Sequence, residues 1–124
     1  KYGLDLTTAY HGIRISSGNS FVHETESKVI LNGSYDVGFT MDLACKDLGL
    51  FDKLVDKYNI PAKISKLMNK IFTEGKTQFG DRSLSTSIVK RLEELCNENL
   101  RAPGFPSQLT DEEPKKKGIE INFD

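Results

Sequence analysis

The stretch "YDVGFTMDLACKDLGLFDKLVDKY", Tyr35 to Tyr58, repeats its apolar residues at the period of a helix. Turned at about 100° per residue, Met41 to Tyr58 gathers Leu43, Leu50, Leu54, Tyr58, Phe51, Ala44, Val55, Leu48 and Met41 on about half of the circumference. That half is expected to be buried. Asp42, Cys45, Lys46, Gly49, Asp52, Lys53, Asp56 and Lys57 fall on the other half, and the division is clean apart from one residue. Asp47 lies inside the apolar arc. An ionised carboxylate taken from water without partners costs several kcal/mol, so Asp47 must be hydrogen-bonded, charge-paired, protonated, or facing a wet cleft between domains. A structural carboxylate capping a neighbouring helix is the competing reading, and it too needs a donor.

Outward from this helix, the flanking text predicts four more. Asp5 caps a helix running to about Ile15, with Leu6, Ala9, Tyr10 and Ile13 at helical spacing, and "SSGNS" (Ser16 to Ser20) breaks it. Asn19 or Ser20 caps a second helix, which carries Phe21, Val22, Val29, Ile30 and Leu31 and ends at Asn32-Gly33. Thr40 caps the long helix, which stops near Asn59. Pro61 suits the first turn of a fourth helix, with Ile64, Leu67, Met68, Ile71 and Phe72 on one face and Gly75 as its stop. A fifth runs from about Ser85 to Asn99 with Ile88, Leu92, Leu95 and Cys96 on one face. The expectation is an all-α fold of about five helices around one long central helix, with no credible strand.

After Arg101 the text changes: three of the four prolines, "DEEP" and "KKK" read as an extended tail, 101–124, following a helical domain, 1–100. Ile119, Ile121 and Phe123 alternate, which suits either a strand added to a neighbour or a frayed end.

The 124 residues, 37% apolar, suffice for one core. A net charge of −1 from mixed acids and bases offers no track for phosphates, so nucleic acid is a poor partner. No apolar run reaches the ~20 residues of a membrane span. Cys45 and Cys96 lack CxxC spacing and suit reduced thiols, hence a cytoplasmic protein. His11 and His23 have no third ligand at metal spacing. "SSGNS" resembles a phosphate-holding turn, but a helix–helix turn is the stronger reading. Asp42 and Lys46, at i and i+4, form an ordinary surface pair. The opening "KYGLDL" reads as the end of a helix stopped by Gly3, as if the chain were a piece of a larger protein.

Gly38-Phe39 followed by "LACKDLGL" (Leu43 to Leu50) resembles the signature of the C-terminal helical domain of the β-hydroxyacid dehydrogenases, the family of 3-hydroxyisobutyrate dehydrogenase. "YGLD", "SSG", the proline of "NIPAKIS" and "FGDRSLS" follow in that family's order. The resemblance implies a full-length enzyme in which an N-terminal Rossmann domain with GxGxxG joins this domain across an active-site cleft. It implies reversible hydride transfer between NAD or NADP and a small β-hydroxy acid or its semialdehyde. The family's catalytic lysine and glycine fingerprint are not among these 124 residues, so the piece alone is expected to be inactive and to bind no cofactor by itself. Lys46 matches a second lysine that reaches the dinucleotide near its nicotinamide end. Phe39 and Asp47 match positions that line and support the active site. The family also uses this domain in a homodimer. Asp42 and Cys45, where relatives are often apolar, and the tail after Leu100 depart from the pattern. A different class of function, an all-helical oligomerisation module without catalysis, shares the same helices.

Overall fold

The computed structural model describes residues 2–112, 114, 117 and 118. The alternation at Ile119, Ile121 and Phe123 lies outside the described residues, as does Lys1. Helix α1 spans Leu6–Arg14, α2 Phe21–Asn32, α3 Met41–Lys57 and α4 Lys63–Phe79; a 3-10 helix, Ser85–Val89, runs directly into α5, Lys90–Cys96. Among the described residues β pairing is limited to one antiparallel bridge, Thr40 to Leu84. The fold is all-α.

Local chemistry explains the first two helices. The Asp5 carboxylate accepts from the Thr8 backbone N–H at 2.7 Å and the Ser20 hydroxyl from that of His23 at 3.0 Å, each satisfying a first-turn donor. "SSGNS" closes on itself: Ser16 Oγ donates to the Ile13 carbonyl and accepts from the Gly18 N–H. Gly33 ends α2 with φ 94°, and its N–H reaches the carbonyls of Val29 and Ile30. A left-handed residue is needed there, which glycine adopts without steric cost.

Thr40 precedes α3 but does not cap it with its side chain; its hydroxyl bonds Asp42 instead. The first amides of α3 are taken by the 80–85 loop, Met41 N–H donating to Ser83 O at 2.7 Å and Asp42 N–H to Asp81 O at 3.0 Å.

Gly75 does not stop α4, which continues to Phe79. It is buried at a crossing where a methyl group would run into the Ile88 side chain, so its role is close approach. The fifth helix also differs from expectation: it begins as a 3-10 turn and ends at Asn97, which adopts the left-handed conformation. Leu92 and Leu95 are exposed, whereas Glu93 is buried.

The element that meets α2, α3, α4 and α5 is the 3-10 helix rather than α3. Its Ser85, Thr86 and Ser87 are buried, and Thr86 Oγ1 donates to the Tyr35 carbonyl at 2.6 Å. Small side chains let four elements converge there. The core comprises Tyr10, Val29, Leu31, Tyr35, Met41, Ala44 and Val55.

Candidate functional site

The apolar arc of α3 is turned differently from the expectation. Met41, Ala44 and Val55, at one edge of the arc, are buried, while Leu43, Leu50, Phe51, Leu54 and Tyr58 are exposed. What lies against α4 is a polar edge. Asp52 accepts from Ser65 Oγ at 3.0 Å and from Asn69 Nδ2 at 2.7 Å, and Asp56 pairs with Lys66. These three contacts lie beside the buried Met41, Ala44 and Val55, and in this rotation of the α3–α4 hairpin the leucines face outward. A signal was present in the sequence: Ser65 and Asn69 stand four residues apart on α4, matched to Asp52.

Asp47 therefore sits within an uncovered apolar stripe and not in a core. Its side chain is 57% exposed and its Oδ1 lies 3.1 Å from Nζ of Lys46, itself 59% exposed. The desolvation problem posed by the arc is absent in this chain, because the arc is wet and the carboxylate is charge-paired. Such a pair is worth about 0.2–1 kcal/mol, too little to explain the position by stability. What the arrangement offers is a mobile ammonium and a carboxylate on a surface whose other members are Leu43, Leu50, Leu54 and Phe51.

Phe39 stands just before α3 and is partly exposed. Its carbonyl accepts from the Ser85 N–H at 2.8 Å, and the Thr40–Leu84 bridge holds the same junction. Phe39 is thus anchored to the 80–85 loop, while Lys46 and Asp47 contact each other. The structure joins the two charges and leaves Phe39 at the head of the same helix.

The remaining candidates are occupied structurally. Cys45 is partly buried toward α4, and burial pushes its thiol up, against activation as a nucleophile. Cys96 is likewise partly buried. His23 stacks on Tyr10 and its Nε2 lies 3.0 Å from the Tyr10 carbonyl oxygen, with Nδ1 3.2 Å from Ser27 Oγ. A carbonyl only accepts, so Nε2 is the donor in that contact. Asp42, the departure from the family pattern, accepts from the Thr40 hydroxyl, and this bond holds its carboxyl below the usual range.

Sequence reading missed one polar cluster. Tyr35 OH donates to Glu93 Oε2 at 2.5 Å, Arg101 Nη1 donates to Glu93 Oε1 at 2.9 Å, and Arg101 Nη2 donates to Tyr35 OH at 2.6 Å. Leu100 N–H adds a further bond to Glu93 Oε1 at 2.8 Å. Burial pushes the Glu93 carboxyl up, but Tyr35, Leu100 and Arg101 outweigh it and hold it below the usual range. Burial, reinforced by Glu93, raises the Tyr35 phenol. The cluster borders an open cavity of about 370 Å³ shared with Lys90, Asn97 and Asn99. Tyr35 is 58 and 66 residues from Glu93 and Arg101 in sequence, so no local pattern joins it to them.

Residues 1–92 match the family described as NAD-binding of NADP-dependent 3-hydroxyisobutyrate dehydrogenase. The chain is similar to 2-(hydroxymethyl)glutarate dehydrogenase of Eubacterium barkeri, 32% identical over 96 residues, which are 77% of this chain and 32% of that protein. It is also similar to L-threonate dehydrogenase of Haemophilus influenzae, 24% identical over 90 residues, 73% of this chain and 30% of that one. A further relative is an uncharacterized oxidoreductase of Shewanella frigidimarina, 28% identical over 91 residues, 73% of this chain and 31% of that one. The chain spans about a third of the length of these relatives. Among the described residues no helix is long and apolar enough to cross a membrane.

Proposed function

Because this chain belongs to the β-hydroxyacid dehydrogenase family, we propose that it is the C-terminal helical domain of an NAD(P)-dependent enzyme interconverting a small β-hydroxy acid and its semialdehyde. The observation that carries this reading is the Lys46–Asp47 pair on an uncovered apolar stripe, inside the stretch that matches the family. A carboxylate among exposed leucines adds little to the stability of the isolated domain, and a second body covering the stripe would have to supply it with a polar partner.

In the assembled enzyme Lys46 would help hold the dinucleotide, its ammonium supplying hydrogen bonds as a compact cation. Asp47 holds Lys46 in place and balances its charge. Phe39, fixed by the 80–85 loop, lines the cleft. NAD or NADP bound in the cleft supplies the hydride acceptor or donor. The acid–base lysine and the GxGxxG turn belong to the remainder of the enzyme, so the 124 residues by themselves are inactive. The uncovered surface of α3 and α4, including Leu50, Leu54, Ile64 and Leu67, is where the Rossmann domain and a second copy of the chain would sit.

In the full-length enzyme Lys46→Ala should raise the KM for the nicotinamide cofactor about tenfold, a loss of about 1.4 kcal/mol. Asp47→Asn should lower turnover. Wild-type kinetics for both variants would remove the functional case for this pair. The same exposed leucines favour the second reading, an oligomerisation module without catalysis. A βαβ unit with GxGxxG encoded upstream of Lys1 supports the enzyme, and a parent gene without one supports the module. A clean monomer at high concentration in sedimentation would count against the homodimer.

A further inference from the structure

The segment after α5 was expected to be a free extended tail, yet its described part is fastened to the body at separate points. At the inner end Arg101 forks onto Glu93 and Tyr35, and Ala102 N–H donates to the Leu31 carbonyl at 3.0 Å. Gly33 makes room for this arginine: a Cβ there would collide with Arg101 Nε and lie 3.0 Å from its Cδ. Next along, Asn32 Nδ2 donates to the Phe105 carbonyl at 2.8 Å, and the Phe105 ring meets Tyr10 edge-on at 5.0 Å. At the outer end Glu112 Oε1 lies 3.3 Å from Nζ of Lys28.

The two ends differ in kind. The Glu93 side chain is 6% exposed and that of Arg101 39%, so the carboxylate of the inner fastening is sheltered from salt, and it is held by Tyr35 and the Leu100 N–H as well as by Arg101. The outer one joins a Lys28 side chain 14% exposed to a Glu112 side chain 75% exposed, within reach of counterions. Between the fastenings the segment is flanked by open grooves. A cavity of about 400 Å³ is bordered by 103–106 and by Tyr10, His11, Arg14 and Lys28; another of about 250 Å³ is bordered by Thr110, Asp111, Glu112 and Pro114 and by Arg14, Phe21, Glu24 and Thr25. Thr110 Oγ1 is buried with no hydrogen-bond partner among the described residues, a further weakness at the outer end.

We infer that residues 100–112 are a two-latch strap over the α1–α2 face, with a permanent inner latch (Tyr35–Glu93–Arg101) and an outer latch (Lys28–Glu112) that salt opens. Opening the outer latch frees the Lys28 ammonium and uncovers the groove along Arg14 and Phe21, while Phe105 stays seated on Tyr10. Except for Tyr35, every residue of the inner latch, and the whole strap, lies beyond residues 1–92, so the device does not depend on the family reading.

Backbone order parameters of the 124-residue chain, measured by NMR relaxation at low salt, in 1 M NaCl and in Glu112→Gln, test it. At low salt the amides from Ala102 to Glu112 should be ordered, near 0.85 on the usual scale. In Glu112→Gln, or in high salt, the values at Leu109 to Glu112 should fall below about 0.6 while Ala102 and Phe105 keep theirs. Arg101→Ala should release the whole segment; if that variant does not fold, the Glu112→Gln and salt arms decide alone. Loss of order at Ala102 and Glu112 together in Glu112→Gln overturns the two-latch strap. So does an outer end indifferent to both salt and the substitution, or one already disordered at low salt.

Discussion

The two halves of this molecule solve the same problem in opposite ways. Helices α1 and α2 present Tyr10, Val29 and Leu31 inward, and their outer face is closed by the chain's own strap through Phe105, Arg101 and Glu112. Helices α3 and α4 instead meet through Asp52, Ser65 and Asn69 and leave Leu43, Leu50, Leu54, Ile64 and Leu67 in water. The first half closes part of its surface with its own chain, although Ile13, Phe21 and Val22 stay exposed. The second places polar groups at its internal contact beside Met41 and Val55 and leaves a contiguous run of leucines on its surface, the kind of patch the proposed second body would cover. A long amphipathic helix is thus no guide by itself to which side of it faces the protein.

The largest effect should come at the junction the halves share. Met41 is fully buried beside the 3-10 helix, and Met41→Ala should cost about 2–5 kcal/mol in denaturant unfolding, lowering the stability of both halves together. Arg101→Ala should come next, at about 2–3 kcal/mol, because it strands the buried Glu93 carboxylate. Hydrogen exchange should localise that loss to α1 and α2; an equal loss throughout α3 and α4 would break the division.

A smaller effect is acid sensitivity. The fold holds the Glu93 carboxyl below its ordinary range, so the unfolded chain binds the proton more readily. Glu93 therefore contributes stability above about pH 4.3 that is lost as the pH falls through its folded value. Glu93→Gln should be less stable at neutral pH and show a shallower decline on acidification; an unchanged slope would contradict the assignment. The smallest effect on stability should come from Leu50→Glu or Leu54→Lys, within about 0.5 kcal/mol, since both side chains are already wet. If either unfolds the chain, the stripe is core after all. The same substitutions should abolish association of the full-length enzyme's subunits or domains, read by sedimentation.

Much of the architecture was legible because its causes are local. Asp5, Ser20 and Gly33 act within one helical turn, and their caps and stops fall where the text places them. Gly75 was misread as a stop because its reason, the approach of Ile88, comes from thirteen residues away. The family signature was legible in "LACKDLGL", which lies within the residues matched, but the surroundings of its Asp47 were not. Periodicity placed that carboxylate among leucines correctly and misjudged whether the leucines were covered.

The sequence by itself determined the helices, the caps and stops of α1 and α2, the all-α class and the family, since each rests on neighbours within a few residues or on the motif itself. Only the tertiary structure decided which face of α3 turns inward, that the segment after Leu100 returns as a strap, and that Tyr35, Glu93 and Arg101 meet. The physical reason is that a helix's apolar arc sets how much surface can be buried, whereas directed hydrogen bonds between distant side chains set which part of it is.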